Sequence, residues 1–272
     1  MIKQLLILIV SCNAKLQHYI PGYFPHMRTS SCKYSLQETN NKLPESWNWI
    51  DHNAVTHVKN QGNCGSCWSF SATGAMEGAY AIKTGKLVNI SEQQLIDCSI
   101  NYGNLGCGGG LYDHAFEYAT DHYMCLEKDE PYEGKLEKCS TCPPLYKLDG
   151  CTDVKPNNQT LLKMAVAQQP VSVAIEADKD IFQMYKKGVL KSRECGTEID
   201  HAVLIVGYGN EDGTDYWLVK NSWGTEWGDN GYIKILRDET DTTEGICGIA
   251  SQPSFPTLIV NEFILDINIK LN

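Results

Sequence analysis

The stretch Gln61-Gly62-Asn63-Cys64-Gly65-Ser66-Cys67-Trp68 sets two cysteines three residues apart, just ahead of a run that reads as helix. Such a pair has three ordinary readings: a redox dithiol, half of a zinc site, or a structural bridge. A redox pair is expected inside a thioredoxin-like βαβ pattern, which is not visible around these residues. A zinc site needs two more ligands, and the other pair of this spacing, Cys139 and Cys142, falls in a stretch of poor regularity. A nucleophile is a better physical fit. The start of a helix presents unpaired N–H groups and positive partial charge, and both stabilise a thiolate.

A thiolate nucleophile needs a base to hold and relay its proton. Of the seven histidines, His18 and His26 lie in the N-terminal region, and His52, His57, His114 and His122 have no supporting pattern. His201 opens the apolar run 202–206, so its ring would project from a rigid strand. Alone it reads more readily as a satisfied core histidine than as a base. Asn221-Ser222-Trp223-Gly224, twenty residues on, changes that reading. It supplies an amide to orient the ring and an indole to shield the bond from water.

The elements that must hold these groups follow from the pattern. Residues 66–83 lack proline and end at Gly85, and Phe70, Thr73, Met76, Glu77 and Tyr80 recur at helical spacing. A second helix starts at Ser91, where Ser91 and Gln94 form a capping box ahead of Leu95 and Ile96. A loop rich in glycine and cysteine follows at 103–110, then a short helix around 113–120. Beyond Val154 the texture becomes strand-like: 171–175 alternates as a half-buried strand, 202–206 is continuously apolar, and 216–220 and 232–236 complete the series. A helical first half and a β-rich second half predict an α+β chain of two lobes.

Composition narrows the setting. The 272 residues suffice for one large domain or two lobes, and 42% apolar with 21% charged residues is a globular composition. A formal net charge of −10 gives no basic footprint, so nucleic acid is excluded as a partner. Twelve cysteines point to an oxidising compartment. Residues 1–14, with the apolar run 5–10 and small residues up to Ala14, read as a signal peptide; that run is too short to span a membrane. Sequons at Asn89 and Asn158 suit a secretory route. The tail 258–272 alternates apolar and polar residues and reads as an extra edge strand.

The chain resembles the papain-like cysteine peptidases of the papain and cathepsin L type. The signature Cys-Gly-Ser-Cys-Trp is present at 64–68, with His201 and Asn221 at roughly the expected 130–150 residues downstream. Further ordered matches over about 43–257 include Leu43-Pro44-Glu45, Ser91-Glu92-Gln93-Gln94, Pro131-Tyr132-Glu133-Gly134, Gln169-Pro170-Val171 and Asp200-His201-Ala202-Val203. The resemblance implies a fold of two lobes, helical at about 53–150 and β-barrel-like at 151–257 plus 43–52, with the active site in the cleft between them. Residues 15–42 would be a short or reduced pro-segment, with no match to the family's long helical one.

By that resemblance Cys67 attacks the peptide carbonyl, His201 gives its proton to the leaving amine, and Asn221 orients His201. The Gln61 side chain and the Cys67 backbone N–H would form the oxyanion hole. A Cys–His ion pair would hold the thiol pKa at roughly 3–4, giving activity from acidic to near-neutral pH. Gly109 and Gly110 map to backbone that pairs with an extended substrate. Leu111, Tyr112, Ala174, Ile199 and Gln252 map to the pocket for the second residue before the scissile bond, which favours a hydrophobic side chain; Asp200 and Trp223 complete the substrate-binding set. The mapped bridges are Cys64–Cys107, Cys98–Cys139 and Cys195–Cys247. Cys32, Cys125, Cys142 and Cys151 have no mapped partner. The expectation is a secreted or lysosomal/vacuolar endopeptidase, a monomer without metal or cofactor. It would act on protein or peptide substrates and meet cystatin-like inhibitors. The rival is a catalytically inactive binding protein on the same fold.

Overall fold

A computed structural model describes residues 19–38, 42–238 and 243–259. The leader at 1–14 and the alternating tail beyond residue 259 lie outside the described residues. The described residues form five α-helices: α1 Cys67–Thr84, α2 Glu92–Cys98, α3 Tyr112–Asp121, α4 Gln159–Val166 and α5 Asp180–Gln183. Eight strands accompany them: β1 Trp47–Asn48, β2 Gly150–Asp153, β3 Val171–Ile175, β4 Val189–Leu190, β5 His201–Glu211, β6 Thr214–Lys220, β7 Tyr232–Leu236 and β8 Ser254–Thr257. Mixed helix and sheet match the expected α+β class.

The strands form one sheet in the order β2-β8-β3-β5-β6-β7-β4, with β1 added on β5. All neighbours are antiparallel except β4 and β7. Among the described residues no ladder joins the edge strands β2 and β4, so the sheet is open where the resemblance implied a barrel. A bulge between Ile205 and Gly207 bends the long β5. Val173, Ile205, Trp217, Val219, Ile233 and Ile235 make the core on the sheet side. Trp68, Met76, Ile90, Leu95, Ile96 and Phe116 make a second core around α1–α3.

Helix α1 runs between the two. It ends at Gly85, which adopts φ 71° and donates its N–H to Ala81 at 2.8 Å. Its sides are small residues because neighbouring side chains press close: a Cβ on Gly74 would lie 2.7 Å from the Leu204 side chain, and one on Gly78 2.6 Å from the Pro170 ring. The helix is therefore buried nearly all round, and its three-to-four residue periodicity marks no single apolar face. Glu77 is buried there because Thr56 (2.6 Å) and Lys59 (2.8 Å) satisfy it.

Three local expectations change. All five residues of β3 are buried, not alternate ones, because α1 covers the second face; Ser172 satisfies its hydroxyl on the Ser71 carbonyl at 3.0 Å. At α2 only half of the capping box forms. Ser91 accepts from the Gln94 N–H at 3.0 Å, but the Gln94 side chain turns to Tyr118, Tyr123 and Cys125. Asn158 is buried as the N-cap of α4, accepting from the Leu161 N–H at 2.6 Å, so that sequon is spent on structure; Asn89 is exposed.

Candidate active site

Cys67 is the first residue of α1 and is fully buried. Among the described residues it is the one cysteine outside a disulfide. Its neighbour in sequence, Cys64, is bridged to Cys107, which disposes of a Cys64–Cys67 redox pair. The other bridges are Cys98–Cys139, Cys195–Cys247, Cys125–Cys142 and Cys32–Cys151. Cys139 and Cys142 are thus both oxidised with other partners, and no thiolate of theirs is left for zinc.

His201 is the first residue of β5 and Asn221 follows the last residue of β6, so adjacent antiparallel strands bring them together. The imidazole Nε2 lies 2.8 Å from Asn221 Oδ1. That oxygen also accepts the Ser222 N–H at 2.8 Å, which fixes the amide orientation and makes Nε2 the donor. Nδ1 has no hydrogen-bond partner. The Trp223 ring packs 4.8 Å from the imidazole, so the indole covers the His201–Asn221 pair. The Ala202 N–H, one residue from His201, points at the Cys67 sulfur at 3.4 Å. Thiol, imidazole and amide therefore converge where the start of α1 meets the start of β5.

Gln61 is clamped across the same junction. Its N–H donates to the Ser222 carbonyl at 2.9 Å, its Oε1 accepts from the Ser222 hydroxyl at 2.6 Å, and its Nε2 donates to the Cys64 carbonyl at 2.9 Å. Tyr132 donates its hydroxyl to the Gln61 carbonyl at 2.6 Å and meets the Ser66 hydroxyl at 2.8 Å. Sequence reasoning gave Ser222 and Tyr132 no role, although both stand inside quoted motifs; a hydroxyl or phenol partner cannot be read from spacing.

The groove beside Cys67 is occupied by the chain's own residues 19–28. Gly22 and Tyr23 donate their N–H groups to the Asp200 carbonyl at 3.2 and 3.0 Å, and Gly110 donates to the Gly22 carbonyl at 2.9 Å. Gly22 is seated so closely that a Cβ there would lie 2.9 Å from the Cys67 sulfur. Phe24 lies against Gly109, which has φ +114°. Tyr23 is buried on Tyr112 with ring centroids 5.1 Å apart and donates to Gln252 Oε1 at 2.8 Å; Tyr112 in turn donates to the Gln252 carbonyl. Leu111, Tyr112, Ala174 and Tyr23 share one apolar cluster, with Ile199 packed on it. Ile199, Asp200 and Gln252 line an adjoining cleft of about 460 Å³. Tyr19 sets its ring edge against Trp223 at 5.7 Å and His201 at 6.2 Å. No sequence pattern signals these contacts, because a strap without periodicity is held by backbone hydrogen bonds and single side chains.

This cover sets the electrostatics. Burial pushes the Cys67 thiol up to about 12, outweighing the helix N-terminal and Ala202 N–H groups that lower it. Burial likewise pulls His201 down to about 4, against the Asn221 hydrogen bond that raises it. The ion pair implied by the resemblance is therefore absent in this covered state: excluding water removes the solvation both charges need. Asp200 is raised to about 6 by burial, opposed by its bond to Tyr19.

The chain belongs to the papain family of cysteine proteases: the family model "Papain family cysteine protease" matches residues 43–257. A cathepsin L-like protein of Caenorhabditis elegans is 47% identical over 239 residues, covering 86% of this chain and 70% of its own length. Cathepsin L of Sarcophaga peregrina is 50% identical over 222 residues, 79% of this chain and 64% of its own. Among solved structures, a ragweed pollen cysteine protease in its proform superposes with a TM-score of 0.77 at 46% identity, covering 81% of this chain and 68% of that one. The chain spans 60 to 70% of the length of the curated relatives it matches.

Proposed function

We propose that this protein is a cysteine endopeptidase in which Cys67, His201 and Asn221 are the catalytic set. The observation that carries the reading is a free thiol at the first position of a helix, one residue's reach from an imidazole whose far nitrogen is fixed by an amide oxygen. In the uncovered enzyme the imidazole takes the thiol proton and the sulfur attacks the substrate carbonyl. The oxyanion is met by the Gln61 amide and the Cys67 N–H. His201 returns the proton to the leaving amine, and water then hydrolyses the thioester. Trp223 keeps bulk water from the His201–Asn221 bond.

The pocket formed by Leu111, Tyr112, Ala174, Ile199 and Gln252 suits a hydrophobic or aromatic side chain two residues before the scissile bond, and Gly109, Gly110 and Asp200 offer backbone groups to an extended peptide. Residues 19–38 act as a pro-segment, holding that groove until removed. Five disulfides support a reading in which the protein follows the secretory pathway and is secreted or delivered to a lysosome or vacuole. It works as a monomer and meets cystatin-like inhibitors at the same groove. The test is Cys67→Ser, assayed on a peptide library after strap removal. The variant should lose roughly 10⁴-fold or more of the turnover while folding normally; retained cleavage would refute the assignment.

A further inference from the structure

Resting on the reading of residues 19–38 as the cover of an endopeptidase groove, we propose that the Cys32–Cys151 disulfide is a redox latch that keeps the cover on the groove after its peptide link to the domain is cut. Full opening then requires two events, backbone scission and reduction by a small dithiol.

The bridge differs from the other four in what it joins. Cys151 lies on β2, inside the matched family domain, whereas Cys32 lies outside it, ten residues beyond the Gly22 that overlies Cys67. The other four bridges each close a loop within 43–257. Around Cys32 the strap is already built onto the domain. Lys33 donates to the Cys151 carbonyl at 3.2 Å and accepts from Asp153 at 3.0 Å, extending the free edge of β2. Arg28 inserts between the buried carboxylates of Asp113 and Asp153. The Ser31 N–H donates to Glu117 at 2.7 Å.

Scission anywhere between Lys33 and Leu43 therefore frees one end of the strap without detaching it. A cut fragment held only by noncovalent contacts would be lost on dilution. Held by a bridge, it faces the groove at an effective concentration on the order of millimolar. Reduction has an approach: Cys151 borders a cleft of about 500 Å³ that Lys33, Glu117, Asp149 and Thr257 also line. A dithiol thiolate attacks one sulfur of the bridge, forms a mixed disulfide and expels the other cysteine as thiolate. Its second thiol displaces the remaining cysteine, so the reagent leaves as a cyclic disulfide and Cys32 and Cys151 gain two electrons and two protons.

The experiment uses the full chain with a site-specific protease sequence inserted between Lys42 and Leu43, alongside the same chain carrying Cys32→Ser and Cys151→Ser. After cutting without reductant, Cys67 is labelled with a cysteine-protease epoxide, and intact masses are read before and after dithiothreitol. In the cut parent the strap should stay covalently attached, with labelling at least roughly 100-fold slower than in the cut double variant until reductant is added. The double variant should label without reductant. Equal labelling of the two cut chains without reductant, or loss of the strap from the parent in non-reducing denaturant, overturns the latch. Should the double variant not fold, the parent is titrated with dithiothreitol: labelling that rises with loss of the 32–151 bridge supports the latch, and labelling that precedes it overturns it. Reductant-dependent labelling without cleavage of any peptide would uphold the latch and sink the endopeptidase reading.

Discussion

The two halves that meet at the candidate active site are held by different means. The half carrying Cys67 contains three of the five bridges, Cys64–Cys107, Cys98–Cys139 and Cys125–Cys142, and between α3 and β2 residues 122–149 form neither helix nor strand. The half carrying His201 and Asn221 is one sheet over a core of Val, Ile and Trp, with a single bridge of its own, Cys195–Cys247. The proposed base, His201, must sit at a defined angle, and a strand buried on both faces supplies that by packing. Cys67, the proposed nucleophile, sits where a loop turns into a helix. Loop backbone has few ladder partners, so cross-links stand in for them.

The strongest way to break this contrast is to remove a bridge from each half. By loop-closure entropy, Cys64→Ala with Cys107→Ala and Cys195→Ala with Cys247→Ala should each cost about 4 kcal/mol in urea unfolding, because the closed loops, with separations of 43 and 52 residues, are alike. Activity should separate them. The Cys64 carbonyl holds the Gln61 side chain and the Cys107 carbonyl accepts the Gly65 N–H at 3.0 Å, so the first pair of substitutions also loosens the proposed oxyanion site. Turnover of folded protein should fall in that variant and change little in the other. Equal turnover in the two would end the claim that bridges set the nucleophile's geometry.

On the sheet side the corresponding change is Asn221→Ala. It leaves Cys67 and its helix untouched and deletes the 2.8 Å contact that holds the imidazole. The expected loss is about 100-fold in kcat, the lower end of what a positioned acid–base group contributes. KM should move far less, because the amide touches His201 and not the groove. Loss confined to KM would show that sheet packing alone fixes the ring.

Much of this contrast was legible in the sequence, and the remainder was not for physical reasons. His201, Asn221 and Cys67 are single positions whose residue types suggest their chemistry, β5 follows from an apolar run, and β3, expected from alternation, is found in place but buried throughout. What escaped was whatever depends on two distant segments meeting. The burial of Glu77 requires Lys59 and Thr56, the ring of Tyr132 reaches Gln61 across 71 residues, and Gly22 is informative only once Cys67 lies beneath it. The barrel-like lobe implied by the resemblance is an open sheet, since closure depends on edges that no local pattern describes. The implied thiolate is suppressed in the covered state because protonation answers to solvent, and solvent is excluded here by residues far from the motif.

That last point yields the smallest and sharpest prediction, since both halves contribute a group whose charge burial suppresses. With the strap in place the thiol is neutral below about pH 12 and the imidazole neutral above about pH 4, so no ion pair exists across the range between. Raising the pKa of an acid favours its protonated form. The thiolate fraction, and with it alkylation of Cys67 by a small neutral haloacetamide, should therefore grow about tenfold per pH unit from 7 to 10 without levelling. Removing the strap returns water to both groups and lets the helix start and the imidazole stabilise the thiolate. The same profile should then be flat from neutral pH upward, having risen at lower pH. A covered chain whose alkylation is already flat at pH 7 would show that the α1 terminus outweighs desolvation, and that the nucleophile's half sets the charge state without help from the sheet.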